Sequence, residues 1–160
     1  MNHRPLRIAA LIAMALAAAS CTQSDEITIR LYPALLVTDP ALPPPEGWER
    51  IEYAGGPRGG EARFDVPAKP LITEWNITAY KGASQPDCTR VVVARLNAYG
   101  EKRMTEFTSD PENSRKHLAL RIDQHWADVS PVLSPVRDRV PLYGFTQEEV
   151  ERLERYLAKR

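Results

Sequence analysis

Ile27, Ile29 and Leu31 alternate with Thr28, Arg30 and Tyr32, and this period of two predicts a strand with one buried face. The alternation returns at Ala62, Phe64 and Val66, where Pro67 ends it, and again at Leu118, Leu120 and Ile122. Val91-Val92-Val93 and Leu96 form a β-branched run from Arg90 to Asn97 that reads as a central strand. Trp48, Ile51 and Tyr53 mark a short ordered piece. Asp123-Gln124-His125 turns the chain into an extended stretch from Trp126 to Leu133, and Val136 to Tyr143 supplies another. Helical signals are fewer. Thr73 is placed to cap a helix reaching about Lys81 and carrying Trp75, Ile77 and Tyr80. Met104 and Phe107 share a face of a short helix from Glu101 to Phe107. The clearest helix is Thr146 to Lys159, where Thr146 and Glu149 make a capping box. Its Val150, Leu153 and Leu157 share a face, and Lys159 and Arg160 suit the negative end of its dipole.

Strands, helix, strands, helix in that order predict an α+β fold, a mostly antiparallel sheet with helices packed on one face. On this reading the Thr146 helix closes a sheet made by the Val91 and Leu118 strands. The intervening segments are loops: Asp39 to Gly47 around Pro43-Pro44-Pro45, the glycine-rich Gly55 to Gly60 around Arg58, and Pro111 to Lys116.

The first twenty residues have a different pattern. Arg4 and Arg7 precede an uninterrupted apolar run from Ile8 to Ala19, too short for the roughly 20 residues that span a bilayer. A charged start and a short apolar stretch predict a signal peptide over 1–20. Leu16-Ala17-Ala18-Ala19-Ser20-Cys21 resembles the lipobox of bacterial lipoproteins, with Ala18 where leucine is usual. That resemblance implies that Cys21 becomes the lipidated N-terminus, 21–26 a tether, and 27–160 a single domain. The alternative is an ordinary secretory signal cut after Ala19 or Ser20. Thr22 rather than an aspartate after the cysteine resembles lipoproteins bound for the outer membrane. The expectation is an envelope protein facing the periplasm, attached through its lipid and more often to the outer than to the inner membrane.

Composition narrows the partners. Lys plus Arg and Asp plus Glu both number 21, so no strong field draws the chain to nucleic acid. Two cysteines, one of them Cys21, exclude a disulfide-stapled miniprotein. Cys88 is then an odd thiol, read as buried at the start of the Val91 strand or paired between chains.

From Val91 onward the order of motifs resembles the head subdomain in the first periplasmic loop of the SecD and SecDF protein-export proteins. The matching residues are Val92, Leu96, Gly100, Met104 and Thr108, then Lys116, Leu118, Ala119, Leu120 and Asp123. Ser130, Pro131, Phe145, Thr146, Glu148, Glu149, Val150 and Leu153 continue the pattern, and Pro70-Leu71-Ile72-Thr73 with Asn76-Ile77 extends it upstream. Against that pattern, Gly144 abuts Phe145 directly, Gln124 stands where the hairpin glycine is usual, and Asp123 to Pro131 is about one residue longer. The resemblance implies an α+β head-like sandwich in the periplasm. The transmembrane helices that couple that family to the proton gradient have no counterpart here, so the resemblance implies no pump.

Catalytic signals are thin. Asp123, His125 and Asp128 near one turn suggest a divalent-metal or hydrolase site, but no H-E-x-x-H or paired C-x-x-C spacing accompanies them. Ser130 and Ser134 stand beside prolines and outside any G-x-S-x-G elbow. The Arg58 loop lacks the G-K-[ST] ending of a phosphate cradle. Glu148, Glu149, Glu151 and Glu154 are accounted for by capping and a solvated helix face. Trp48, Trp75 and Trp126 are read first as core, second as an exposed binding surface. The expectation is a non-enzymatic module without catalytic residues, metal or cofactor. It would bind a protein or peptide through a sheet edge or an apolar groove and serve protein export or envelope upkeep. A small hydrolase or metal enzyme built on Asp123, His125 and Asp128 is the alternative.

Overall fold

The computed structural model describes residues 26–55, 61–84, 90–114 and 116–160. The predicted leader, Cys21 with most of its tether, the glycine loop from Gly56 to Gly60 and Cys88 lie outside the described residues.

The alternation that opens the chain becomes β1 (Ile29–Leu36), the spine of the larger sheet. Antiparallel to β1 along one side runs β7 (His117–Ile122). Along its other side β1 pairs first with β4 (Ile72–Thr73) and then with β3 (Ala62–Pro67). Outer strands β2 (Trp48–Tyr53) and β8 (His125–Pro131) complete the order β2-β3-β1-β7-β8. The smaller sheet has the order β5-β6-β9, from β5 (Ile77–Ser84), β6 (Arg90–Leu96) and β9 (Arg139–Phe145). The Val91 run is thus a central strand, as its branching predicts. All pairings are antiparallel, and the class is α+β as expected.

Both faces of β1 are covered. Ile29 and Leu31 point into the main core with Leu120 and Ile122 of β7. There they meet Val92, Ala94, Val140 and Leu142 of the smaller sheet. On the opposite face Tyr32, Ala34 and Ala119 join Ile51, Phe64 and Val66 in a second core. The larger sheet curls over this second core until its edges approach, with Tyr53 OH 3.5 Å from an Asp128 carboxylate oxygen. Trp126 closes it by packing edge-on to Tyr32 at 5.4 Å.

Helix α1 (Ala98–Ser109) starts where the Asn97 side chain accepts the Gly100 N–H at 2.9 Å. The cap lies four residues upstream of the predicted start, so the helix is longer than Met104 and Phe107 alone suggest. Gly100, Met104 and Thr108 recur every four residues as its buried stripe. The Thr108 hydroxyl donates to the Met104 carbonyl and accepts the Val136 N–H, both at 2.7 Å. Helix α2 (Gln147–Ala158) has the predicted box: Thr146 N–H donates to Glu149 Oε2 at 2.8 Å, and Glu149 N–H to Thr146 Oγ1 at 3.2 Å. Leu153 is fully buried, flanked by Val150, Tyr156 and Leu157.

Two expectations are corrected. The segment after Thr73 is one short helical turn, Glu74–Asn76, followed by β5. The Asn76 side chain accepts the Thr73 N–H at 2.9 Å and closes that turn, and Ile77 onward pairs with β6. Branched Ile77 and Thr78 and aromatic Tyr80 favour that strand once a partner is available. Second, the Val91 and Leu118 strands lie in different sheets, and α2 packs on β5 and β6 rather than closing a common sheet.

The β7–β8 hairpin is irregular. Pairing passes from Leu120↔Asp128 to Arg121↔Trp126, which leaves Ala127 as a bulge in β8. Strand β9 bulges too, since Phe145↔Arg90 is followed by Leu142↔Val92. Gly144 sits in that second bulge at φ +84°, and a Cβ there would stand 2.3 Å from the Ala127 carbonyl oxygen. The two bulges fit into one another where the sheets meet.

Candidate functional site at the junction of the sheets

Beyond the paired bulges the sheets diverge and leave an open cleft of about 230 Å³. Leu31, Leu118 and Leu120 form its floor, because alternation turns them to the same face of β1 and β7. Asp128 and Ser130 oppose Leu120 and Leu118 across the ladder and so face the cleft with them. The link from β8 to β9 supplies Val132, Leu133 and Val136, and β9 supplies Pro141, Leu142 and Tyr143. Leu133 is 85% exposed, an apolar side chain held out at the rim. Strands β8 and β9 are each the outer strand of their sheet. The cleft therefore combines an apolar floor, two outer strands and a few polar groups, the makings of a surface that holds an extended chain.

The polar groups are arranged by their own contacts. Ser130 Oγ donates to Asp128 Oδ2. Neither histidine is near enough to activate that hydroxyl. His117 projects from the other face of β7, edge-on to Phe64 at 5.2 Å. Its Nδ1 is buried without a hydrogen-bond partner, and burial lowers its pKa, which keeps the ring neutral. His125 is five residues from Ser130 along an extended strand, about 16 Å away.

The trio Asp123, His125 and Asp128 is not brought together. Asp123 occupies the β7–β8 turn in the left-handed region at φ 50°, which aspartate tolerates better than most residues. It accepts Arg152 Nη1 at 2.6 Å and the Thr28 N–H at 3.0 Å, tying the hairpin to α2 and to the start of β1. His125 Nε2 lies 3.5 Å from Glu149 Oε1 on α2, whereas Asp128 turns into the cleft. Among the described residues no three His, Cys, Asp or Glu side chains cluster as metal ligands. The sequence placed these residues near one turn but could not show that each is taken by a different partner.

Burial pushes the Asp123 carboxyl up, but the Arg152 hydrogen bond, the Thr28 N–H and the Arg152 charge outweigh it and hold the pKa below 3.8. A carboxyl with a depressed folded pKa stabilises fully above its unfolded value. That contribution disappears as pH falls below about 3.8 through the folded value. Urea midpoints measured from pH 5 downward are expected to fall less steeply for Asp123→Asn than for the wild type. Equal slopes for the two proteins would show that the ion pair contributes nothing.

The remaining candidates are structural or solvent-facing. Trp48 and Trp126 are half-buried, while Trp75 is exposed. Residues shared with the head-like pattern are largely caps and packing positions: Thr108 links α1 to Val136, Glu149 completes the α2 box, and Leu153 and Phe145 are core. Leu118, Leu120, Ser130 and Pro131 are the exceptions, since they line the cleft. No helix among the described residues is long and apolar enough to cross a membrane.

No protein-family model matches the chain, and no curated protein sequence does. Among solved structures it is similar to SecDF, described as a membrane component that enhances protein export. The identity is 19% over 58% of this chain and 42% of that one, with a TM-score of 0.47. A second SecDF structure, in a super-membrane-facing form, gives the same identity and TM-score over 58% of this chain and 12% of that one. The chain thus spans less than half the length of the SecDF chains it resembles.

Proposed function

We propose that this protein is a lipid-anchored module of the bacterial envelope that faces the periplasm and holds an extended, partly apolar polypeptide segment in the cleft between β8 and β9. The observation that carries this reading is the cleft itself: three leucines on its floor, Leu133 at the rim, and an outer strand on each side. Outer strands offer backbone groups to a guest chain, and alternate guest side chains would rest on Leu118 and Leu120. The reading needs no catalytic step, and Ser130, Asp128 and Asp123 all have partners suited to holding shape. The motif order from Val91 to Leu153, shared with export proteins, makes a polypeptide in transit the first client to test.

A short fluorescein-labelled peptide of alternating apolar and polar residues should bind, and Leu133→Asp should weaken it about tenfold or more. A buried leucine is worth about 1.5–3 kcal/mol, and each 1.4 kcal/mol is tenfold in affinity. Because Leu133 is exposed, the variant should melt with the wild type. Fluorescence anisotropy decides it, with Leu42→Asp, at another exposed leucine, as control. Unchanged affinity for Leu133→Asp removes the cleft from the reading.

The anchor rests on the small residues before Cys21 at the end of a short apolar run. Two or three acyl chains would hold the protein stably, whereas one binds only marginally. Intact-mass spectrometry of native protein should place acyl mass on Cys21 as the first residue. An unmodified chain free in the periplasm would contradict it.

A further inference from the structure

A second surface lies near the point where the chain enters the fold. Trp75 is 61% exposed on the turn before β5, packed edge-on to Tyr156 of α2 at 6.3 Å. The Arg160 guanidinium covers both rings, 4.9 Å from the Trp75 centroid and 5.6 Å from that of Tyr156. The Asn97 side chain donates to the Trp75 carbonyl at 3.2 Å, and two residues on Tyr99 is 59% exposed beneath Arg103. Exposed Trp75 and Tyr99, each beside an arginine, match the chemistry of a lipid headgroup layer. Tryptophan and tyrosine settle at that depth, and arginine meets phosphate.

Chain length brings this surface to a membrane. Glu74, beside Trp75, accepts the Ile29 N–H at 3.1 Å, and Arg152 of α2 donates to the Glu26 carbonyl. The aromatic patch and the chain entry therefore share one end of the molecule. Cys21 and Glu26 are five positions apart in the chain, a span of at most about 17 Å when fully extended. We propose that the face carrying Trp75 and Tyr99 docks on the headgroup layer of the membrane that holds Cys21, fixing the orientation of the domain. This rests on the anchor reading above. Docked in this way, the domain would sit on the lipid surface rather than swing on its tether.

The test uses the full chain reconstituted into phosphatidylethanolamine and phosphatidylglycerol vesicles, with and without bromine on the acyl chains. Brominated lipid should quench a larger fraction of wild-type tryptophan emission than of Trp75→Phe emission, since Trp48 and Trp126 are half-buried on strands of the larger sheet. Tyr99→Ser should reduce the quenching with Trp75 still in place. Equal quenched fractions for wild type and Trp75→Phe would overturn docking. The intact mass of the same preparation reports the anchor separately: acyl mass without Trp75 quenching rejects docking alone, and absent acyl mass rejects the anchor.

Discussion

Gly144→Ala, in the β9 bulge, is expected to be strongly destabilising although it adds a single methyl group. Two costs combine. A non-glycine residue at φ +84° carries strain of about 1–2 kcal/mol. The new Cβ would also lie 2.3 Å from the Ala127 carbonyl oxygen, a backbone atom that moves only if the β8 bulge moves. Overpacking of this kind adds about 1–3 kcal/mol. Gly47 separates the two, because its φ of +76° brings the same strain with nothing within 4 Å of an added Cβ. Guanidinium midpoints should rank wild type above Gly47→Ala and Gly47→Ala well above Gly144→Ala. If the two alanines cost the same, the bulges do not interlock.

Leu153→Ala should cost about 2–5 kcal/mol, the usual range for truncating a fully buried leucine. Leu153 joins α2 to the main core formed by both sheets, so the space it leaves has no flexible rim to close it. Thr146→Ala removes a helix cap and should cost about 1 kcal/mol. Glu151→Ala loses an exposed hydrogen bond from Gln147 and should cost a few tenths. Chemical denaturation that placed Glu151 with or above Leu153 would mean that α2 presents another face to the core.

Local pattern made much of this fold legible. The alternation of β1, β3 and β7 and the box opening α2 need only neighbours in sequence, and both appear as read. The turn after Thr73 was misread because Ile77 and Tyr80 sit at helical spacing, while the partner that makes them a strand, β6, begins at Arg90. The length of the Asp123 to Pro131 stretch and the place of Gly144 beside Phe145 are each visible in the sequence, but Ala127 and Gly144 are not marked as partners there. That they face one another depends on how the two sheets meet, which no local signal encodes. No residue of the cleft is marked as a binding residue by the sequence. The floor of the cleft comes from β1 and β7 and its rim from the link between β8 and β9, far apart in sequence, and only the assembled sheets define it. Asp123 and His125 drew notice as polar residues at a turn, but the partners that occupy them, Arg152 and Glu149, come from α2.

The most direct test of the central claim is an amide chemical-shift map of the isotopically labelled protein, titrated with the alternating apolar peptide. Binding in the cleft predicts shifts concentrated at Leu118 and Leu120, from Asp128 through Val136, and along β9, with Leu133→Asp reducing them at the same subsaturating peptide concentration. Shifts centred instead on β2 and β3, or a saturating peptide that leaves Asp128 to Val136 unmoved, would contradict it.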